Sequence, residues 1–385
     1  MEGVTFSMVE KTVENPFDEL PEALVEEMLN QCDELGENLS KSFRKLYEKK
    51  NDFRRKLIEQ KLLKNDAEIS SAPTHPTTCG VDGSYAIEKL LSTDMTAIAG
   101  VAVEGLAPPT EKRYWPKPHH LSEILTTPHS DSTTVVARAI MMCMELDLAA
   151  KAPHDVIFLD GSLTTPFIYF NQALNKADEV SDSLSSLLHE RLKIALESYK
   201  EILLSKRTDK MFVGMPKYTT RREITQKILK IDGYEDRGFL SSVLDAGEFV
   251  GPVEIQEPPS RWHIDRQPAN LKSIISEIID ALGNLFVVYY RPYNHFPALR
   301  MEISQSVRTN MQRLAILFES LRLQCGAPGV MEPYPLYLAD RMVKHLRTAL
   351  PAIRKTTTQE MSLKWEDSLG NIYLAMHGYR TEWGK

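Results

Sequence analysis

The sequence predicts an α/β fold: a mixed sheet with helices on both faces. Three observations carry this. Short apolar, glycine-punctuated runs recur and read as buried strands. Longer segments of helical periodicity lie between most of them. The early strands are hairpin-like, whereas the later ones alternate with helices. At 385 residues the chain is long enough for one large domain or two ordinary ones, and 42% hydrophobic with 26% charged residues excludes wholesale disorder. No internal repeat is visible.

In chain order, the first 64 residues read as helix split by charge. Residues 1–40 carry eleven acids against the single base Lys11, and residues 41–64 carry ten bases against three acids. Val25, Met28, Leu29, Cys32, Leu35, Leu39, Phe43, Leu46, Phe53, Leu57 and Ile58 recur at helical spacing. Such an amphipathic arm, taken as residues 1–69, wants a partner helix from its own chain or another subunit. Its basic half is either a solvated face or one turned to DNA or a partner. Ser70 to Thr78 reads as a linker. Strands are expected at Thr78–Tyr85 and Thr96–Val103, then a proline-rich loop over 106–120 ending in His119-His120. A helix follows over 132–150, and then a strand at Asp155–Asp160. A helix over 183–206, a strand at Met211–Gly214 and a polar helix starting near Thr219 come next. Residues 237–258 read as loop and strand, and 274–285 as helix. Phe286–Tyr290 and Leu299–Ile303 are spaced like a hairpin, and helices over 306–324 and 337–350 follow. The expected organisation is an arm (1–69), a main domain (70–355) and a C-terminal extension (356–385).

Several function classes drop out. No apolar run reaches 18 residues, so no transmembrane helix is expected. The start, Met1-Glu2-Gly3-Val4, lacks a basic segment leading into an apolar one, so a secretory signal is not expected. Cys32, Cys79, Cys143 and Cys325 form no CxxC, which argues against a ribbon-type zinc site or a disulfide framework and for a reducing cytoplasm. A net charge of −7 is not that of a generic basic nucleic-acid coat, though a local basic surface remains open. There is no GxxxxGK[ST], hence no P-loop ATPase site, and no GxSxG elbow to make Ser84 or Ser162 a hydrolase nucleophile. Tyr289, Tyr290, Tyr293, Tyr334 and Tyr337 are either packing or platforms for unpaired bases.

The chemistry lies in the acids. Asp82 and Asp160 each end an apolar strand and each precede Gly-Ser. The carboxyl ends of parallel strands form the crevice where ligands bind, so the two carboxylates are candidates to meet there; the alternative is plain turn chemistry. Glu145, among Met141, Met142, Met144 and Leu146, sits at a helix edge or faces a buried site. Asp236 alone carries no signal. Two carboxylates 4 Å apart at an effective dielectric of ~20 repel by roughly 4 kcal/mol, so a cluster needs a cation or a proton. Oxygen-only ligands suit magnesium or manganese, and a pair of such ions suits phosphodiester hydrolysis.

Taken together, these residues resemble the NurA-type nucleases. The resemblance rests on Val81-Asp82-Gly83-Ser84, the Arg138–Glu145 helix, Phe158-Leu-Asp160-Gly-Ser-Leu163, Gly214-Met-Pro-Lys217, Asp236 leading into Leu244-Asp-Ala-Gly-Glu248, Tyr290, Leu299-Arg300-Met-Glu302, and Pro333-Tyr-Pro335 with Leu338-Ala-Asp340. These span about residues 75–350 in family order. The resemblance implies an RNase H-like core, manganese- or magnesium-dependent DNA end processing, a homodimer, and a HerA-type hexameric ATPase partner, in DNA repair or anti-phage defence. Carried over, Asp82, Glu145, Asp160 and Asp236 hold the metal and Lys217 faces the scissile phosphate. Arg300 and Glu302 match a family strand or form an ion pair inside the sheet. One departure stands out: Ala339-Asp340 replaces the family's Ala-His. Asp340 can bind a hard cation but is no acid–base group at neutral pH without a large pKa shift; His345 compensates only in part. The alternative reading is a catalytically weak, DNA-binding scaffold that caps the ATPase ring.

Overall fold

The computed structural model describes residues 17, 20–69, 75–108, 113–255, 262–364 and 368–377. The chain divides into two compact units, Met1–Asp52 and Phe53–Lys385. The first holds α1 (Glu22–Asn30) and α2 (Cys32–Glu48), separated only by Gln31, itself in right-handed helical conformation. Met28, Leu29, Leu35, Leu39 and Phe43 are exposed along them. α3 (Lys50–Glu59) begins at the division. The sequence-based arm ran to residue 69, but Leu63–Asn65 (β1) is a strand of the second unit's sheet.

That sheet has nine strands. After β1 come β2 (Thr78–Lys89), β3 (Asp94–Glu104), β4 (His119–Thr127), β5 (Val156–Asp160), β6 (Met211–Met215), β7 (Glu248–Glu254), β8 (Leu285–Arg291) and β9 (Leu299–Ser304). Their spatial order is β1-β7-β8-β9-β6-β5-β2-β3-β4. β2, β3 and β4 form an antiparallel meander, and β5 and β6 continue it parallel to β2. That five-stranded arrangement is the RNase H-like core that the family resemblance implied. β9, β8, β7 and β1 extend it antiparallel.

The helices of this unit are α4 (Thr133–Lys151), α5 (Thr165–Lys176), α6 (Asp182–Leu204), α7 (Asp236–Val243), α8 (Lys272–Leu282), α9 (Gln305–Arg308), α10 (Met311–Gln324), α11 (Tyr334–Lys344), α12 (Leu346–Lys364) and α13 (Leu369–Ala375). α4 packs on β2 and β3 and is covered in turn by α5 and α6. It is therefore apolar nearly all round, and only a helix with no solvent face tolerates that. α10 and α11 cover the other face. Phe158, Val213, Val288, Met301, Leu317, Leu321 and Leu336 share one core cluster there.

β2 is sandwiched between the two helical layers, and two glycines make that possible. A Cβ at Gly80 would run into the backbone of Pro335 and Leu336 in the first turn of α11. A Cβ at Gly83 would lie 2.5 Å from Glu145 Oε1 and 2.7 Å from Met141 Cγ on α4. The two positions are three apart, so they face opposite sides of the sheet. Asp82 shares Gly80's parity and thus the α11 face. Asp160 shares the parity of Val156 and Phe158, which also lie on that face. Val81 pairs with Leu159 in parallel register, so Asp82 lies beside Asp160; only Asp160 ends its strand, and Asp82, expected at a strand end, sits inside β2, which runs on to Lys89 paired with β3.

Four expectations change. His119 and His120 open β4 rather than ending a loop. β4 is the sheet edge and mostly solvated, so it lacks the apolar run that marks the inner strands. Residues 237–258 contain α7 before β7. The polar helix expected near Thr219 is a single wide turn at Glu223–Ile228. The helix expected over 337–350 is two, α11 and α12, meeting at His345. No helix among the described residues is long and apolar enough to cross a membrane.

The contact at Gly80 generates a prediction. Gly80→Ala forces α11 off β2 and costs about 1–3 kcal/mol, the usual range for overpacking. Chemical denaturation should show that loss with an unchanged denaturant slope; wild-type stability would mean that α11 does not need the close approach.

Candidate metal centre

Asp82, Asp160 and Asp340 each bring a carboxylate oxygen to one point, all within 4.8 Å of one another. The first comes from within β2 and the second from the end of its neighbour β5. Asp340 comes from α11, which begins after Pro333 and carries Pro335 in its first turn, where a missing N–H costs nothing. The helix seats against Gly80, and this brings Asp340 over Asp82 and Asp160. Lys217 follows β6. Its Nζ lies 3.1 Å from Asp160, 2.9 Å from Glu332 and 3.5 Å from Asp340. Lys344 lies 2.7 Å from Asp340, one helical turn on.

Glu145 approaches from the other face. It is 4% exposed, borders Gly83, and shares a cavity of about 220 Å3 with Asp160, Ser162 and Arg138. The sequence left open whether it sat at a helix edge; it is buried. Burial, with the charges of Asp82 and Asp160 added, holds its carboxyl well above the usual carboxylate range. Asp82 is pushed up to about 8 by burial and by Asp160, against the opposing pull of Lys217 and the Gly83 N–H. Burial pulls Lys217 down, but Asp160 and Glu332 outweigh it and hold the ammonium above its ordinary value. Burial also raises Glu332, with Lys217 opposing it. Asp340 is raised by burial but held below its ordinary value on balance by Lys344 and Lys217.

Asp236 does not join this group and is a correction to the expected ligand set. It is fully buried, and its two oxygens accept from Ile224 N (2.9 Å), Thr225 N (2.8 Å), Thr225 Oγ1 (2.9 Å) and Tyr289 Oη (3.1 Å). A carboxylate saturated by such donors has no free lone pair directed at Asp82 and Asp160. Tyr289 in turn accepts from Arg300, whose guanidinium pairs with Glu223 (2.9 Å) and Glu302 (3.1 Å). The ion pair inside the sheet is therefore present. Its far end does further work: Glu302 Oε2 accepts from Ser162 Oγ (2.7 Å) and Leu163 N (2.9 Å), pinning the turn that follows Asp160. Sequence reasoning missed Glu332 and Lys344. The segment Pro333-Tyr-Pro335 had been marked, but the acid before it follows no periodicity. The i, i+4 spacing of Asp340 and Lys344 was a usable signal.

The donor chemistry fits a hard divalent cation. Three oxygen ligands lie within one coordination sphere's reach, and a single ammonium pairs with two of them without neutralising both. Nitrogen and sulfur donors are absent from this group of described residues.

Against known families, residues 76–345 match the NurA domain model. This chain belongs to the NurA family. Among solved structures it is similar to the NurA nuclease of Sulfolobus solfataricus, at 14% identity and a TM-score of 0.60 over 90% of this chain and 99% of that one. It is also similar to a NurA bound to dAMP and manganese, at 14% identity and a TM-score of 0.52 over 82% and 93% of the two chains. A further NurA structure matches at 13% identity and a TM-score of 0.53 over 89% and 99%. At these identities the likeness is one of fold. No curated protein matches the chain.

Two predictions separate the site from its support. Asp82 takes up a proton at about pH 8 when folded, against 3.8 ordinarily. The folded protein thus holds a proton that the unfolded chain releases, and wild-type stability without metal falls as pH rises from about 4 to about 8. Asp82→Asn should therefore be more stable than wild type at pH 8 in chelator, with the gap closing toward pH 4; thermal melts across that range check it, and equal melts at every pH would contradict it. Asp236→Ala should instead destabilise by about 1–3 kcal/mol for each donor left unsatisfied, while manganese affinity by calorimetry stays at the wild-type value. Lost manganese binding in a fully folded Asp236→Ala would return that residue to the ligand set.

Proposed function

We propose that this protein is a divalent-metal-dependent deoxyribonuclease that hydrolyses phosphodiester bonds in DNA, with manganese or magnesium as its cofactor. The observation that carries the reading is the convergence of Asp82, Asp160 and Asp340 within 4.8 Å, beside Lys217, in a NurA-family chain. A NurA of the same fold binds dAMP and manganese, which supports both the nucleotide substrate and the ion.

The residues divide the work as follows. Asp82, Asp160 and Asp340 would hold the ion, with Glu145 behind Asp82 as a further carboxylate. When bound, the ion supplies Lewis-acid polarisation of a phosphate oxygen and lowers the pKa of water. Lys217 is the residue suited to the phosphate. Its ammonium is a compact charge that stabilises the anion developing in the transition state. Glu332 keeps Lys217 anchored when Asp160 and Asp340 turn to the metal. Glu302 and Gly161-Ser162 keep Asp160 at the strand end. Burial of Glu145 and Asp82 excludes water from one side of the cluster, which strengthens every charge interaction within it.

A second reading, a catalytically weak subunit that binds DNA and caps a motor, draws on Asp340 standing where the family has histidine and on its pairing with Lys344. The active enzyme is favoured, because an aspartate completes the oxygen cage that a hard ion prefers. We further propose a homodimer, supported by the exposed apolar stripe on α1 and α2, and DNA feeding by a HerA-type hexameric ATPase, supported by family resemblance alone. DNA repair and anti-phage defence are both compatible roles, and the cytoplasm the compatible compartment.

The test is digestion of linear DNA by the purified protein with manganese or magnesium, alone and with the ATPase and ATP, against Asp160→Asn. Wild type should cut and Asp160→Asn should be slower by at least about a hundredfold, the scale of losing one preorganised electrostatic group. Equal inertness of the two with the partner present would leave the scaffold reading.

A further inference from the structure

Beside the carboxylates the surface opens into a cleft of about 790 Å3. Its lining includes Ser162 and Lys217 at the metal centre and extends to Tyr218, Thr219, Thr220 and Arg237. Tyr218 stands out because it is 96% exposed. An aromatic ring left wholly in water is uncommon, since rings of this size carry much of the burial energy in cores and interfaces. Of the five tyrosines singled out in the sequence, Tyr289 and Tyr290 are fully buried and Tyr293, Tyr334 and Tyr337 are half-buried.

The exposure of Tyr218 is built in. Met215 and Pro216 before it are buried, and Lys217 Nζ is tied to Asp160 and Glu332. The Lys217 carbonyl accepts from the Arg237 guanidinium, whose Nε also donates to Ala298 O at 3.2 Å. The backbone under Tyr218 is thus fixed on two sides, and the ring projects from it at the mouth of the cleft. Tyr218 directly follows Lys217, so the ring and the ammonium suited to the phosphate stand on consecutive residues that line the same cleft.

We propose that Tyr218 is a stacking platform for one unpaired nucleobase, and that a single DNA strand occupies this cleft. Stacking accepts any base, because every base has a π-face, but it requires a face that is free. Bases inside a duplex have both faces covered by their neighbours. The site therefore selects single-stranded DNA or the frayed end of a duplex. Thr219, Thr220 and Arg237 offer hydroxyl and guanidinium donors of the kind that hold the phosphate backbone without reading sequence. This inference rests on the nuclease reading for the identity of its ligand and goes beyond it in naming the residue that holds the strand.

The experiment uses the full chain in chelator, so that nothing is cut. Ten-nucleotide oligodeoxynucleotides carry a single fluorescent 2-aminopurine at successive positions. Wild type should bind the strand more tightly than a blunt duplex of the same sequence, with 2-aminopurine quenched at one position. Tyr218→Ala should bind about tenfold more weakly and lose the quenching, and Tyr218→Trp should keep both. A strand abasic at that position should bind wild type and Tyr218→Ala equally. The side chain is exposed, so its loss does not threaten the fold. Unchanged affinity and quenching in Tyr218→Ala, or tighter binding of blunt duplex by wild type, would overturn the platform. Tyrosine-dependent quenching without any manganese-dependent digestion would keep the platform and remove the nuclease reading instead. Digestion with no effect of Tyr218→Ala on strand binding would do the reverse.

Discussion

Like charges crowded into a half-buried site are the constraint around which the second unit is organised. Three carboxylate oxygens within 4.8 Å, with Glu145 close behind, repel unless something positive stands among them. In this structure Lys217 does so, reaching Asp160, Glu332 and Asp340 from one position after β6. Five ionisable groups thus come from five segments: β2, β5, the turn after β6, the loop before α11, and α11 itself. Parallel pairing of β2 with β5 sets two of them side by side, and the close seat of α11 on Gly80 brings in a third. A fold that tolerates this repulsion without metal is one in which binding of metal adds stability, because the ion replaces the ammonium with a stronger countercharge.

A second charged network stands behind the first. Arg300 is fully buried in β9 and bridges Glu223 and Glu302, while Asp236 and Tyr289 complete the chain of hydrogen bonds. Buried ion pairs contribute little net stability, yet breaking one leaves a charge stranded. Here the network joins the turn after Asp160, the wide helical turn at Glu223–Ile228 and the start of α7 by a continuous chain of hydrogen bonds. Its carboxylates are already engaged by arginine, backbone and hydroxyl donors, and Asp236 lies outside the Asp82, Asp160 and Asp340 group.

The inner strands were legible because burial on both faces leaves unbroken apolar runs, as at Val156–Leu159 and Phe286–Tyr290. Asp160 was legible for the same reason, since it closes the apolar run of β5 at a glycine, whereas Asp82 was misplaced at a strand end because Gly83 does not stop β2. Edge elements were not: β1 is three residues long and β4 is largely solvated, so neither carries a pattern. Asp236 was misjudged because the sequence does not reveal how many donors surround an acid. Glu332 was invisible because its partner Lys217 lies more than a hundred positions away. Asp340 read as a departure from the family, and the fold brings its carboxylate into the cluster all the same.

Anomalous diffraction from crystals soaked in manganese tests the central claim most directly. A manganese peak is expected among Asp82, Asp160 and Asp340, with the Lys217 ammonium moved off Asp160 and still held by Glu332. A peak at Asp236, or none near Asp82 and Asp160 while Lys217 keeps its three partners, would contradict it.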